Sequence, residues 1–107
     1  MRRAIGRLPI GTMNKTEAAY SQQLETLRNI GEILWWKFEA VKLRLADNTF
    51  YSPDFAVMGK DGVLAMHEVK GFWEDDARVK IKVAASLFPF EFVAVKPMRG
   101  GWEYETF

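Results

Sequence analysis

The sequence predicts an α+β fold, a single domain in which one helix, three strands, a second helix and a further strand build a mixed sheet flanked by helices. Three observations carry this reading. A well-capped helical stripe opens the chain after residue 13. Two apolar runs then flank the glycine-bounded turn Gly59-Lys60-Asp61-Gly62, the pattern of a β-hairpin. Finally, the apolar run Phe90–Val95 follows a helical stretch that must stop before Pro89.

Residues 1–13 carry Gly6, Pro9 and Gly11 and read as an irregular arm. Asn14 is a good helix N-cap, and Glu17 stands at the third helical position, the capping-box spacing. Tyr20, Leu24 and Leu27 make the apolar stripe of that helix, and Gly31 suits its C-terminal stop. In residues 33–46, Val41, Leu43 and Leu45 alternate with Lys42 and Arg44, which predicts a half-buried strand over 41–46. Trp35, Trp36 and Phe38 read as core or sheet-edge packing. Asp47-Asn48 turns the chain into the hairpin, so strands at 41–46, 50–58 and 63–70 are expected to form an antiparallel meander. Residues 77–88 pose a conflict: Arg78 to Val83 alternate like a strand, whereas Val79, Val83 and Leu87 fit a helical stripe that Asp75 or Asp76 can cap. Helix is the reading adopted. Phe90–Val95 is an interior strand broken by Pro97, Gly100 and Gly101, and Trp102–Thr106 can add an edge strand.

A chain of 107 residues with 49% hydrophobic and 14% aromatic content is sized and composed for one folded domain. It has no cysteine, which excludes disulfides and thiolate metal sites, and it has no apolar run near membrane-span length. A basic start without a long apolar stretch is not a signal peptide, so a cytosolic location is expected. A net charge of +1 does not mark a nucleic-acid binder, but the cations are grouped: Arg2, Arg3 and Arg7; then Arg78, Lys80 and Lys82; then Lys96 and Arg99. Such groups are ordinarily solvated faces; around an acidic site they can hold phosphates. No glycine-rich phosphate loop or nucleophile elbow is present.

The hairpin carries acids where buried strands should not. Asp54 follows Pro53 at the start of its first strand, and on the second strand Glu68 and Lys70 share one face while His67 and Val69 take the other. Two carboxylates and a cation are thereby expected within a few ångströms. The plain alternative is a salt bridge of Glu68 or Asp54 with Lys70 in a half-exposed hairpin. A single histidine cannot build an imidazole site, so any metal would be a hard, oxygen-preferring ion such as magnesium or manganese. Glu17 lies in line with Tyr20 and Leu24, and by the helix alone it is either a cap or an inward-pointing acid, the cap being the simpler reading.

Asn-Lys-Thr-Glu opening a helix, Phe-Tyr-Ser-Pro-Asp-Phe, and His-Glu-Val-Lys-Gly, in an αβββαβ order, resemble the PD-(D/E)XK nuclease superfamily. Within it the chain is similar to small phage-encoded endonucleases and Holliday-junction resolvases, and to transposon end-cutting nuclease subunits. The resemblance spans about residues 14–96, leaving a basic arm at 1–13 and a tail at 97–107. It implies a restriction-endonuclease-like domain and a magnesium- or manganese-dependent DNA endonuclease. Asp54 would bridge the metal, Glu68 would be a second ligand, and Lys70 would orient or activate the attacking water. Glu17 would match the first-helix acid, which turns it from cap to ligand. Acids so close together repel, so the site needs a cation electrostatically as well as chemically.

Arg3, Arg7, Lys80 and Lys82 are the expected nucleic-acid contacts. The implied partner is DNA, branched or linear, with a homodimer and a specificity-supplying protein as further expected partners and no membrane. A phage-encoded enzyme would act in the host cytoplasm. Two rival readings are a non-cutting nucleic-acid-binding module of the same fold, and a structural protein whose acids are surface salt bridges.

Overall fold

The computed structural model describes residues 11–107; residues 1–10 of the expected arm, with Arg3 and Arg7, lie outside the described residues. Two helices flank a mixed sheet, in the order α1 (Lys15–Asn29), β1 (Ile33–Phe38), β2 (Leu43–Ala46), β3 (Thr49–Tyr51), β4 (Phe55–Gly59), β5 (Leu64–Val69), α2 (Asp75–Leu87), β6 (Glu91–Met98) and β7 (Gly101–Thr106). Among the described residues no helix is long and apolar enough to cross a membrane.

The five-stranded sheet runs β1-β4-β5-β6-β7, and β2 with β3 form a separate two-stranded ribbon. All neighbours in the large sheet are antiparallel except β5 and β6, which are parallel. Parallel neighbours need a crossover, and α2 supplies it. This ladder continues past β5, where the Lys70 amide donates to the Val95 carbonyl at 3.0 Å.

The α1 boundaries follow from its caps. Asn14 Oδ1 accepts from the Glu17 amide at 2.8 Å while Glu17 Oε1 accepts from the Asn14 amide at 2.9 Å, so the capping box is closed in both directions. At the other end Gly31 takes φ 84°, a conformation that favours glycine. Its amide reaches the Arg28 carbonyl and that of Glu32 reaches Leu27, a Schellman stop.

Alternation along the strands divides the core in two. On the α1 side, Tyr20 and Leu24 pack with Phe55, Val57, Val69 and Val95. Phe55 is ringed by aromatics, with centroids of Tyr20, Trp36 and Phe38 between 5.3 and 5.9 Å away. The packing expected for Trp36 and Phe38 is therefore observed, whereas Trp35 is largely exposed. On the α2 side, Leu43 and Tyr51 of the ribbon pack with Ala56, Met66, Ile81 and Phe92.

Several sequence expectations are corrected. The first strand of the meander is 33–38, not 41–46: β1 pairs with β4, with Phe38 opposite Phe55. Glu39 at φ 50° turns the chain out of the sheet, and Leu43–Ala46 instead pairs with Thr49–Tyr51 around Asn48, itself at φ 52°. The expected 50–58 strand is split into β3 and β4 at Ser52-Pro53-Asp54, where proline lacks the amide a continuous ladder needs.

The α2 helix forms as expected, but Val79, Val83 and Leu87 face outward and are exposed. Ile81 and Ala84 are the buried positions, with Ala85 and Phe88 partly buried against the same core. The alternating pattern of 78–83 concealed which helical face would dock. The N-cap is Glu74, without a side-chain hydrogen bond, rather than Asp75 or Asp76. Pro97 does not end the last interior strand: β6 runs to Met98, and β7 pairs along it as the edge strand.

Candidate active site

The hairpin register decides what meets. Phe55 lies opposite His67, which sets Asp54, one residue earlier, beside the stretch Glu68–Val69. The Val69 amide donates to Asp54 Oδ2 at 2.8 Å, and the Asp54 amide donates to Glu68 Oε1 at 3.2 Å. Each carboxylate is thus latched to a backbone amide across the strand pair, Glu68 to that of Asp54 and Asp54 to that of Val69. Pro53 is what frees the chain for this: by ending the ladder between β3 and β4 it leaves the Asp54 amide for a side chain.

Glu68 is 8% exposed, the one buried charged residue among those described. Its Oε1 also accepts from the Tyr51 hydroxyl at 2.9 Å. Lys70, two residues on and therefore on the same face, places Nζ 3.8 Å from Glu68 Oε2, with its side chain 45% exposed. Asp54, Glu68 and Lys70 are therefore brought together as expected. The salt bridge of the plain alternative is present, but at a distance that leaves the pair loose, whereas the carboxylates are held by three shorter bonds.

Burial makes the charged state of these acids costly. It raises the Asp54 carboxyl to about 8, helped by the like charge of Glu68, and against the opposing hydrogen bond from Val69. Burial likewise raises Glu68, against the Tyr51 hydrogen bond and the Lys70 charge. At neutral pH the pair accordingly retains a proton as a unit. Burial and the Glu68 charge push the Tyr51 hydroxyl up, so it stays a neutral donor. An acid pair with one member buried, displaced titration and a nearby cation is a pattern that functional sites show.

Glu68 opens onto a cleft of about 270 Å³ whose walls include Tyr51, Ser52, Lys70, Ala77 and Lys80, with Asp54 just behind it. Lys80 Nζ sits 3.4 Å from the Phe50 carbonyl at its edge. Lys82 does not share this cleft. Two residues along a helix are about 200° apart, and Lys82 is instead near enough to Glu105 to lower that acid's titration. The expected Lys80–Lys82 patch is therefore split between two faces of α2. A larger cleft, about 400 Å³, lies between Trp73, Arg78 and β7, away from the acid pair. It is internally satisfied, since Arg78 binds both carboxylate oxygens of Glu105 at 2.9 and 2.6 Å.

Glu17 holds the cap, as the helix alone suggests. Its charge nonetheless raises both Asp54 and Glu68, which places it on the acid side of the sheet end. Among the described residues no group of three acids or histidines is arranged to hold a metal. The donor set at the pair itself fits a hard cation: Asp54 Oδ2 and Glu68 Oε1 are tied to the protein by hydrogen bonds, and Asp54 Oδ1 and Glu68 Oε2 are the carboxylate oxygens those bonds leave over.

Tyr51 is the site residue that sequence reasoning left without a role. No local pattern announces it: the hydroxyl meets Glu68 because the ribbon that ends in Tyr51 packs on the α2 side of the sheet. His67, on the opposite face, is partly buried beside the α1-side core with Nδ1 2.7 Å from the Tyr20 hydroxyl.

His67 carries a prediction. Burial depresses its titration from 6.5 to about 4, so the unfolded chain takes up a proton that the folded chain refuses. Stability supplied by neutral His67 is complete above about pH 6.5 and is lost as pH falls toward 4, with a ceiling of about 3 kcal/mol. In thermal melts His67→Gln, which keeps an acceptor for Tyr20, should gain stability relative to the parent chain as pH falls from 7 to 4. An unchanged difference between the two chains across that range would remove His67 as a contributor.

No protein-family model, curated protein or solved structure matches this chain.

Proposed function

We propose that this chain is a magnesium- or manganese-dependent DNA endonuclease with a PD-(D/E)XK site on a restriction-endonuclease-like core. The observation that carries this reading is the Asp54–Glu68 pair, Glu68 buried and Asp54 half-buried, latched across adjacent antiparallel strands, with Lys70 on the face of Glu68 and Lys80 lining the cleft onto which Glu68 opens. The sheet order supports it, since a mixed sheet lies between one helix on each side and the pair stands where β4 begins and β5 ends.

Asp54 and Glu68 would hold the metal, which when bound supplies charge neutralisation at the phosphate and a more acidic water. The chain's own groups do the remainder. Tyr51 and the Asp54 amide fix the Glu68 carboxylate so that one oxygen faces the cleft. The Val69 amide fixes the Asp54 carboxylate through Oδ2. Lys70, half in solvent, is positioned to hold a water or a phosphate oxygen beside the pair, and Lys80 to hold the backbone farther along. The proton that the pair keeps without metal is released when a cation takes its place, so binding is expected to strengthen as pH rises.

A non-cutting nucleic-acid-binding module is the second reading, favoured by the engagement of Glu17 in its capping box. One experiment separates the two: four-way junction, flap, single-stranded and linear duplex DNA incubated with magnesium, and then with chelator. We expect chelator-sensitive cleavage of at least one substrate and a rise in thermal midpoint with millimolar magnesium. DNA binding without cleavage on the whole panel would select the module, and absence of any magnesium effect on stability would count against the metal site.

A further inference from the structure

Phe72 has no folding role that its position explains. It is 78% exposed, more than any other large apolar side chain among the described residues, and it stands two residues after Lys70 across Gly71. It lines a cleft of about 240 Å³ with Lys70, Glu74, Asp76 and Ala77. Lys70 and Ala77 also line the cleft of the acid pair, so the two depressions adjoin and Lys70 stands between them.

The charges on the two sides differ. On the acid-pair side of Lys70 the rim carries Lys80, and beyond it Lys42 sits over the Phe50 ring at 4.6 Å; this is a setting for phosphates. On the Phe72 side the ring is flanked by Glu74 and Asp76, which repel phosphate but accept hydrogen bonds from exocyclic amino groups. An exposed aromatic face beside carboxylates therefore suits a base and excludes a backbone.

We infer that Phe72 is a stacking platform for an unpaired base next to the scissile phosphate, and that the substrates of the site are single-stranded, flapped or branched rather than continuous duplex. The inference rests on the nuclease reading and deepens it. Bases inside a duplex already stack on one another, whereas an unpaired base gains a partner on Phe72.

The test measures binding of labelled single-stranded, flap and linear duplex oligonucleotides by the full chain, in calcium to limit turnover, and cleavage in magnesium. Phe72→Ala should weaken single-strand and flap binding roughly 5- to 100-fold while leaving duplex binding unchanged, and Phe72→Trp should restore it. A 2-aminopurine placed beside the cut site should be quenched by the parent chain and by Phe72→Trp but not by Phe72→Ala. Unchanged binding by Phe72→Ala, or an equal loss on all three DNAs, overturns the stacking role. So does a change in oligomeric mass with DNA affinity intact, which would make the ring a protein contact. Cleavage by the parent chain that Phe72→Ala reproduces on every substrate sinks this inference alone; failure of the parent chain to bind or cut any DNA sinks the nuclease reading with it.

Discussion

Asp54→Asn is expected to abolish cleavage while making the metal-free protein more stable at alkaline pH. The loss follows from the carboxylate's place in the pair, since an amide of the same shape can still accept from the Val69 amide but offers no charge to a cation. The gain follows from linkage. Asp54 titrates near 8 in the folded chain and near 4 when unfolded, so folding takes up a proton between those values. Stability from this group is present at low pH and is lost as pH rises through 8. Because Asp54 and Glu68 share the proton, the realised difference at pH 8 is expected at roughly 1–3 kcal/mol, or several degrees in midpoint for a domain of this size. Between pH 4 and 6.5 the slope opposes that of His67, so the parent chain should look nearly flat there and the single variants should separate the two. Melts of Asp54→Asn at pH 5 and 8, with and without magnesium, check this alongside the cleavage rate. The variant should lose both the alkaline decline and the response to magnesium. Parental turnover would remove Asp54 from the site, and a parental alkaline decline would move the buried proton elsewhere.

Glu17→Gln is expected to cut turnover by orders of magnitude while leaving the fold almost untouched. The capping box uses one carboxylate oxygen as an acceptor, and glutamine supplies the same acceptor, so the expected stability change is within about 0.5 kcal/mol. What glutamine lacks is the charge, and it is the charge of Glu17 that reaches Asp54 and Glu68. A side chain can close the cap in the metal-free chain and still supply negative potential to a cation at the pair. Single-turnover cleavage at saturating magnesium, paired with a melt, distinguishes the roles. Parental rates in Glu17→Gln would leave this residue as a cap and nothing more.

The elements whose signals are local were legible in the sequence. Asn14, Glu17 and Gly31 bound α1 because caps act within a few residues. The Gly59–Gly62 turn closes its hairpin because Gly62 takes φ 83°, and period-two alternation then puts Glu68 and Lys70 on one face. The pairing of Asp54 with Glu68 followed from that hairpin, being a contact across one short turn.

Tertiary structure alone decided the rest, because those choices are settled by competition between distant surfaces. Residues 41–46 read as the strand and Trp36 and Phe38 only as packing, yet β1 takes the sheet edge because Trp36 and Phe38 fill the space around Phe55. In α2 two apolar stripes were available, and Ile81 and Ala84 won because they meet Leu43, Met66 and Phe92, leaving Val79, Val83 and Leu87 outside. The split of Lys80 from Lys82 follows from that choice of face. The hydroxyl of Tyr51 became a partner of Glu68 only when the ribbon of β2 and β3 folded over the α2 side of the sheet, a contact no local pattern in the chain encodes.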